Sequence, residues 1–349
     1  MTVLLIGYDL RRRGGIERLG HDLRAALEAS GQDVQVLDTR RLGPSVGGRW
    51  LGRAVFLLRL TWASRRCHLL LSLHAGLLRS VDPLLPRRLP RLAWLHGVEA
   101  WGRALPPLAA SLRRCHSLAA SSGFTREQLL AQPGPWPPVQ VIHPPAALWP
   151  DDTPPAPLPS GLRLLTVARL VAAERYKGHD LLIDALAALA EGDWHWQVVG
   201  DGDDRPRLQA RVQEAGLADR VRFSGTIDDD ALREAYRQCN LLAMPSVCSE
   251  RPDGSWTGEG FGIAYLEAAM AGRAALACRR GGQTDLVQHG LTGWLVDPDP
   301  DAIAAALAEA LADPDSLVRR GGAARRRAVQ HFGRDRFMAA VARWLEGQG

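Results

Sequence analysis

Short apolar runs alternate with amphipathic stretches along most of the chain. Thr2–Asp9 reads as a buried parallel strand. The loop LRRRGGIE, an amphipathic helix to about Ser30 and a second strand over Asp33–Asp38 follow it, so the chain opens as a βαβ unit. Further apolar runs at His68–His74, Leu92–His96, Ser117–Ser121 and Val139–His143, separated by helical or loop stretches, predict a first doubly wound sheet.

The run WPDDTPPAPLPSG between Trp149 and Gly161 breaks this pattern. Its prolines suit neither a helix interior nor a central strand, so it reads as an exposed linker. Alternation resumes with a strand over Leu162–Leu170, a helix near His179–Ala190, the strand WHWQVVG, a helix over Arg205–Glu214, the strand VRFSG, a helix over Ala231–Gln238 and the strand LLAMPS. The tail from Asp301 is rich in Ala and Arg with helical periodicity, and breaks are expected at Pro314, around Gly321–Gly322 and at Gly333. The expected organisation is a first Rossmann-like domain over 1–150, a Pro-rich linker over 151–161, a second Rossmann-like domain over 162–332 and a C-terminal helix over 333–349.

At 349 residues and 38.0 kDa the chain is long enough to bury two cores. A composition 46% hydrophobic and 23% charged, with a mean hydropathy of -0.13, excludes disordered and fibrous classes. The five cysteines (Cys67, Cys115, Cys239, Cys248 and Cys278) include no CxxC pair and no zinc-like spacing with histidine, so no disulfide framework or structural metal is expected and a reducing cytosol fits. No charged leader precedes the first apolar run, and Arg59 interrupts the most apolar stretch elsewhere, AVFLLRLTWA; neither a secretion signal nor a membrane span is expected. The net charge of +5 conceals a split, with +11 over residues 1–150 and -6 over 151–349. The arginines of the first half are spread through apolar elements, with no recognition-helix pattern, which points to a phosphate-bearing ligand or an anionic membrane rather than nucleic acid.

Lys177 is the single lysine of a chain with 42 arginines. Lysine presents a compact point charge on a narrow stem, whereas arginine needs room for a planar fork. Chance survival on a solvated loop is the bland alternative. Arg169 ends a predicted strand and Lys177 precedes a predicted helix, so both belong at the carboxyl edge of one sheet, where open α/β folds bind ligands; two cations there suit a diphosphate. A second cluster is GEGFGIAYLEAAMAG, Gly258–Gly272. Backbone N–H groups around Phe261, Gly262 and Ile263 can face an anion at the positive end of the helix that follows. Glu259 precedes this helix and Glu267 lies about two turns into it. Carboxylates accept pairs of O–H bonds, so the two suit ribose and hexose hydroxyls, against a plain reading as a helix-start and a surface glutamate.

Arg169, Lys177 and the Glu259-x7-Glu267 spacing together resemble the retaining nucleotide-sugar glycosyltransferases of family four, the group 1 glycosyl transferases. Gly14-Gly15, His96-Gly97, Gly200-Asp201-Gly202, Met244-Pro245-Ser246 and Gly281-Gly282 support the likeness, which covers nearly the whole chain. It implies an α/β GT-B fold, two Rossmann-like doubly wound domains facing a central cleft. The acceptor domain would be 1–150, the donor domain 162–332, and the helix after Gly333 would pack back on the first domain. The resemblance further implies that Arg169 and Lys177 hold the donor diphosphate and Glu267 the ribose diol. Glu259 and the backbone amides of Phe261 and Gly262 would grip the donor sugar, with His96 near it from the other domain and Ile263 among the donor-binding residues. Gly14 and Gly15 would let the first loop approach donor or acceptor, and Gly200 and Gly202 would belong to the donor-binding residues.

Other patterns have weaker readings. Asp201-Gly-Asp203 spells a DxD metal motif but sits in a glycine turn, so Asp203 and Asp204 are expected as helix-start residues. GGIERLG is a poor dinucleotide fingerprint, and His74, His143, His179 and His289 read as isolated structural histidines. The segment Arg49–Arg66, with Trp50, Phe56, Trp62 and five arginines, reads equally as an interfacial helix or as a core helix whose arginines snorkel outward. The expected protein is a cytosolic retaining hexosyltransferase, peripheral to the inner face of the cell membrane. It would use no cofactor and no metal, taking GDP-mannose or a UDP-hexose to a hydroxyl of a lipid-linked or envelope glycan. A nucleotide-sugar epimerase, a nicotinamide-dependent oxidoreductase and a noncatalytic nucleotide-sugar-binding subunit are the rivals.

Overall fold

The computed structural model describes residues 1–8, 10, 14–39, 46–146, 148–149, 154–189 and 192–347, with the backbone alone over 46–50. Arg11–Arg13 of the first loop and residues 151–153 of the expected linker lie outside them. The chain divides into two compact units: Met1–Ala147 with Glu250–Trp256 and Arg334–Gly349, and Leu148–Ser249 with Thr257–Gly333.

In the first unit β1 (Thr2–Gly7), α1 (Gly15–Ala29), β2 (Asp33–Asp38), α2 (Val46–Ala63), β3 (Leu69–Ser72), α3 (Ala75–Val81), β4 (Arg91–Leu95), α4 (Pro106–Leu112), β5 (Ser117–Ala120), α5 (Gly123–Leu130) and β6 (Val139–Val141) follow one another. Among the described residues the strands form one parallel sheet of order β2-β1-β3-β4-β5-β6, whose order reverses at β1. Val3, Leu4, Leu5 and Ile6 are all fully buried, because a parallel strand covered on both faces needs an unbroken apolar run.

The second unit holds β7 (Leu162–Val167), α6 (His179–Ala188), β8 (Trp194–Val199), α7 (Arg205–Glu214), β9 (Val221–Gly225), α8 (Asp229–Gln238) and β10 (Leu241–Ala243). After a short hairpin of β11 (Ser249–Glu250) and β12 (Trp256–Thr257), it continues with α9 (Ile263–Met270), β13 (Ala274–Cys278), β14 (Gly293–Val296), α10 (Pro300–Ala312) and α11 (Pro314–Phe332). Its parallel sheet has the order β14-β13-β10-β7-β8-β9 and reverses at β7. The core gathers Leu164, Leu182, Trp196, Val198, Leu276, Trp294 and Leu307.

The final helix, α12 (Arg334–Glu346), belongs to the first unit. Trp344 meets Trp94 edge-on at 5.9 Å between ring centroids, and both indole N–H groups are satisfied, by Ser117 and Ser121 at 2.8 Å. Each such ring removes about 150–250 Å² from water while leaving no buried donor unpaired. The hairpin tip also counts with this unit: Arg103 N donates to Gly254 O at 3.0 Å, and Trp256 stands edge-on to Trp101.

One expected break is absent. Pro314 starts α11 and Gly333 ends it, but the helix runs through Gly321 and Gly322. A Cβ at Gly321 would fall 2.2 Å from Gly272 O, so this glycine serves close packing against the turn before β13 rather than a helix end.

Candidate functional site

Two loops at the carboxyl edge of the second sheet, after β7 and after β10, flank the point where its strand order reverses, the position at which open α/β sheets accept ligands. The loop after β7 carries Arg169 and then a 3₁₀ turn, Ala172–Lys177. Gly178 follows with φ +81; a Cβ there would lie 2.2 Å from Pro245 O, so only glycine lets this loop lie against Met244-Pro245-Ser246. Val247 N donates to Tyr176 O at 2.7 Å and ties the same two loops together.

Within this frame Lys177 Nζ donates to Glu259 Oε2 at 2.6 Å, with both side chains 13% exposed. Burial alone would lower the lysine's proton affinity. The Glu259 carboxylate outweighs it, and the ammonium is held above its ordinary pKa. Glu259 sits in the glycine-rich segment ahead of α9, held by Gly282 N donating to Glu259 O at 2.7 Å. Gly262, in the left-handed region, is the N-cap of α9, and no side chain caps the helix start that Ile263 opens. Phe261 is buried and faces Phe332. Glu267, 3% exposed, accepts from Tyr236 Oη at 2.8 Å.

Arg169 is the exposed member, paired with Glu174. Gly200 and Gly202 turn the chain after β8 directly beneath this loop: added Cβ atoms would fall 1.8 Å from Ala168 O and 2.1 Å from Leu170 O. Asp203 and Asp204 stand just ahead of α7, as expected from the sequence. Asp204 occupies the N-cap position of α7 but makes no side-chain cap; it binds Arg175 and Arg207 instead. Asp203 accepts from Ala172 N at 2.8 Å, across to the Lys177 loop. Asp201 accepts from Gly202 N at 2.9 Å.

The remaining sequence candidates belong to the first unit. Gly14 is the N-cap of α1 and Gly15 its first residue. His96 follows β4 and its Nε2 bonds Leu73 O at 2.6 Å. His74 is not isolated: its ring packs between Tyr8, at 4.5 Å, and His96, at 5.5 Å, and burial together with the His96 charge lowers its pKa to about 3. His179 is buried with no partner on Nε2, and burial, helped by Lys177, lowers its pKa to about 4.

Glu174, Tyr176 and Tyr236 were not singled out from the sequence. Glu174 stands three residues before Lys177 in an irregular turn, where no periodicity assigns a direction, and Tyr236 reaches Glu267 from α8, a separate element. Lys177 and Glu259 thus meet ahead of an uncapped helix start, with Arg169 on the same loop as Lys177 and Glu267 on the helix itself. That arrangement can bind an anion beside a hydroxylated group.

The family model described as "Glycosyl transferases group 1" matches residues 160–327. The GDP-mannose-dependent alpha-(1-6)-phosphatidylinositol monomannoside mannosyltransferase of Mycobacterium tuberculosis is 31% identical over 269 residues, covering 73% of this chain and 69% of the relative. A D-inositol 3-phosphate glycosyltransferase of Thermobispora bispora is 34% identical over 185 residues, covering 52% of this chain and 38% of the relative. Among solved structures, sucrose-phosphate synthase from Thermosynechococcus elongatus matches with a TM-score of 0.81 at 21% identity, covering 99% of this chain and 98% of that one. Anabaena HepE in complex with UDP and glucose gives 0.76 at 21% identity, covering 99% of both chains. With two parallel six-stranded sheets of the GT-B type, and with sequence identity across most of an established mannosyltransferase, the chain belongs to the group 1 glycosyl transferases, enzymes that use nucleotide sugars.

Proposed function

We propose that this protein transfers a hexose from a nucleoside diphosphate sugar, with retention at the anomeric carbon, to a hydroxyl of a lipid-linked glycan at an anionic membrane surface. GDP-mannose is the preferred donor, as in the mycobacterial relative, with a UDP-hexose second. The observation that carries the reading is the 2.6 Å Lys177–Glu259 pair: a nearly buried cation and carboxylate, 82 positions apart in the chain, set ahead of an uncapped helix start.

The residues divide the work by charge. A donor diphosphate takes over Lys177 and Arg169 from Glu259 and Glu174. Their cationic charge, together with the α9 helix end, offsets the negative charge that develops as the bond from the anomeric carbon to the phosphate oxygen breaks. Glu259, released from its ion pair, accepts from a sugar hydroxyl, and Glu267 accepts from the ribose diol. The acceptor oxygen forms its bond on the face the phosphate leaves, and its proton passes to a phosphate oxygen of the departing diphosphate. These cations supply what Mg²⁺ supplies elsewhere, so no metal is required.

A thermal-shift panel of nucleotide sugars tests the donor, because a ligand at a hundredfold its Kd stabilises the folded state by about 2.7 kcal/mol. GDP-mannose should raise the midpoint most and should then support transfer with an α-configured product. An epimerised donor with no transfer, or binding without either reaction, would favour the rival readings.

A further inference from the structure

α2 carries two apolar stripes, one buried and one exposed. Gly52, Phe56, Leu60 and Ala63 are buried, and the helix packs against β2. Beside the buried stripe Leu51, Val55, Leu58 and Trp62 recur at helical spacing and remain 59%, 36%, 71% and 56% exposed, Leu58 and Trp62 at the mouth of an open cleft shared with Gln35, Val36 and Leu37 of β2. Here four large side chains line up along one turn-to-turn stripe facing solvent, more than scattered surface apolar residues explain. Among the described residues no helix is long and apolar enough to cross a membrane, so the stripe is not part of a span.

Charge decides what covers it. Arg53, Arg59, Arg65 and Arg66 are exposed on and beside this helix, and Arg66 lies 3.8 Å over the Trp62 ring. No Asp or Glu occurs in the sequence between Asp38 and Asp82. A second copy of the chain meeting the stripe through its own stripe would bring these arginines together with no acid from either helix to offset them. An anionic bilayer removes the apolar row from water and offers negative headgroups to the arginines at the same depth.

We infer that the exposed stripe of α2, with its arginine border, is the face by which the protein lies on an anionic lipid surface. The inference rests on the lipid-acceptor reading above only for its purpose. The experiment therefore uses vesicles without acceptor lipid, so that surface binding and acceptor identity fail separately.

Full-length protein is sedimented with phosphatidylglycerol/phosphatidylcholine vesicles and with pure phosphatidylcholine vesicles. Binding should require phosphatidylglycerol and weaken as salt shortens the screening length from about 10 Å at 0.1 M. Leu58→Glu with Trp62→Glu should lower the partition coefficient at least about tenfold while leaving the thermal midpoint unchanged, since both side chains face solvent. If glutamates disturb folding, Leu58→Gln with Trp62→Gln makes the same comparison. Arg59→Gln, Arg65→Gln and Arg66→Gln together should remove the lipid preference. Wild-type binding by a folded stripe variant, or equal binding to neutral vesicles, overturns the inference. So does a wild-type dimer that the stripe substitutions dissociate, which would assign the face to a second copy. Vesicle binding without transfer to any lipid acceptor would leave the docking face standing and reject the acceptor.

Discussion

At the scale of single residues, Lys177 is held by distance as well as by charge. Its ammonium reaches Glu259 from a 3₁₀ turn wedged against Pro245, with little exposed surface around it. A guanidinium at the same place keeps the charge but needs a wider gap. Lys177→Arg should fold and yet lose most transfer activity, since misplacing reacting groups by about 1 Å can cost on the order of a hundredfold in rate. Steady-state turnover beside a far-ultraviolet spectrum makes the check, and near-normal turnover would show that charge alone suffices. Glu259 and Glu267 should fail differently. Glu259→Ala should lower turnover with less effect on the bare nucleoside diphosphate, whereas Glu267→Ala should weaken the diphosphate itself and, by removing the acceptor for Tyr236 Oη, destabilise the fold by about 1–3 kcal/mol. Titration calorimetry with GDP separates the two, and Glu267→Gln, which keeps an acceptor oxygen, isolates the binding loss from the stability loss. Equal GDP binding losses in Glu259→Ala and Glu267→Gln would reject the division of roles. Lys177, Glu259 and Glu267 could be singled out in the sequence from residue type and spacing. Glu174 and Tyr236 could not, because their partners are set by an irregular turn and by a neighbouring helix.

At the scale of elements, the loop that carries Arg169 and Lys177 is braced from below by a ladder of charges. Arg175 meets Asp204, Asp204 meets Arg207, Arg207 meets Asp180 on α6, and Asp180 meets Arg211 on α7. Hydrogen bonds from Arg207, then from Arg175, outweigh the burial that would raise the Asp204 carboxyl and hold its pKa at about 2. A carboxylate whose pKa is depressed on folding stabilises the fold above its unfolded value of about 3.9, and that contribution disappears as pH falls through the folded value. Asp204→Asn should therefore destabilise by about 1–3 kcal/mol at neutral pH. The gap from wild type should close as pH drops from about 4 towards 2, as denaturant titrations at several pH values would show. A gap that widens with acid would assign the stability to another group. The sequence reading placed α7 over Arg205–Glu214, as observed, and took Asp203 and Asp204 for helix-start residues; Asp204 holds the N-cap position, but its carboxylate binds Arg175 and Arg207 instead of the helix end. Local pattern places a helix; which arginine a carboxylate meets depends on residues brought alongside from other elements.

At the scale of the whole molecule, the proposed chemistry uses side-chain cations where other transferases use a divalent ion. Excess chelator should leave the rate of transfer unchanged; loss of activity that Mg²⁺ or Mn²⁺ restores would reinstate Asp201 and Asp203 as metal ligands. Both carboxylates are engaged with nearby backbone N–H groups, Gly202 and Ala172, which supports the metal-free reading. The sequence by itself determined the alternation of strands and helices and the two doubly wound parallel sheets. It also placed Arg169 and Lys177 between a strand end and a helix, and Glu259 ahead of a helix that carries Glu267. These follow from period, turn chemistry and residue type, which act over a few positions. Tertiary structure alone decided the rest. Gly321 sits inside α11 because Gly272 O lies 2.2 Å from where its Cβ would be, although the same residue read alone marks a break. His74 gained Tyr8 and His96 as neighbours through the pairing of β1 with β3 and β3 with β4. The Arg49–Arg66 segment read equally as an interfacial helix or as a core helix, and in the described part of α2 packing on β2 leaves Phe56 and Leu60 buried and Leu58 and Trp62 exposed. Apolar period shows that a helix has faces. Which of them meets protein is settled by the layer it packs against, a long-range fact that local pattern does not contain.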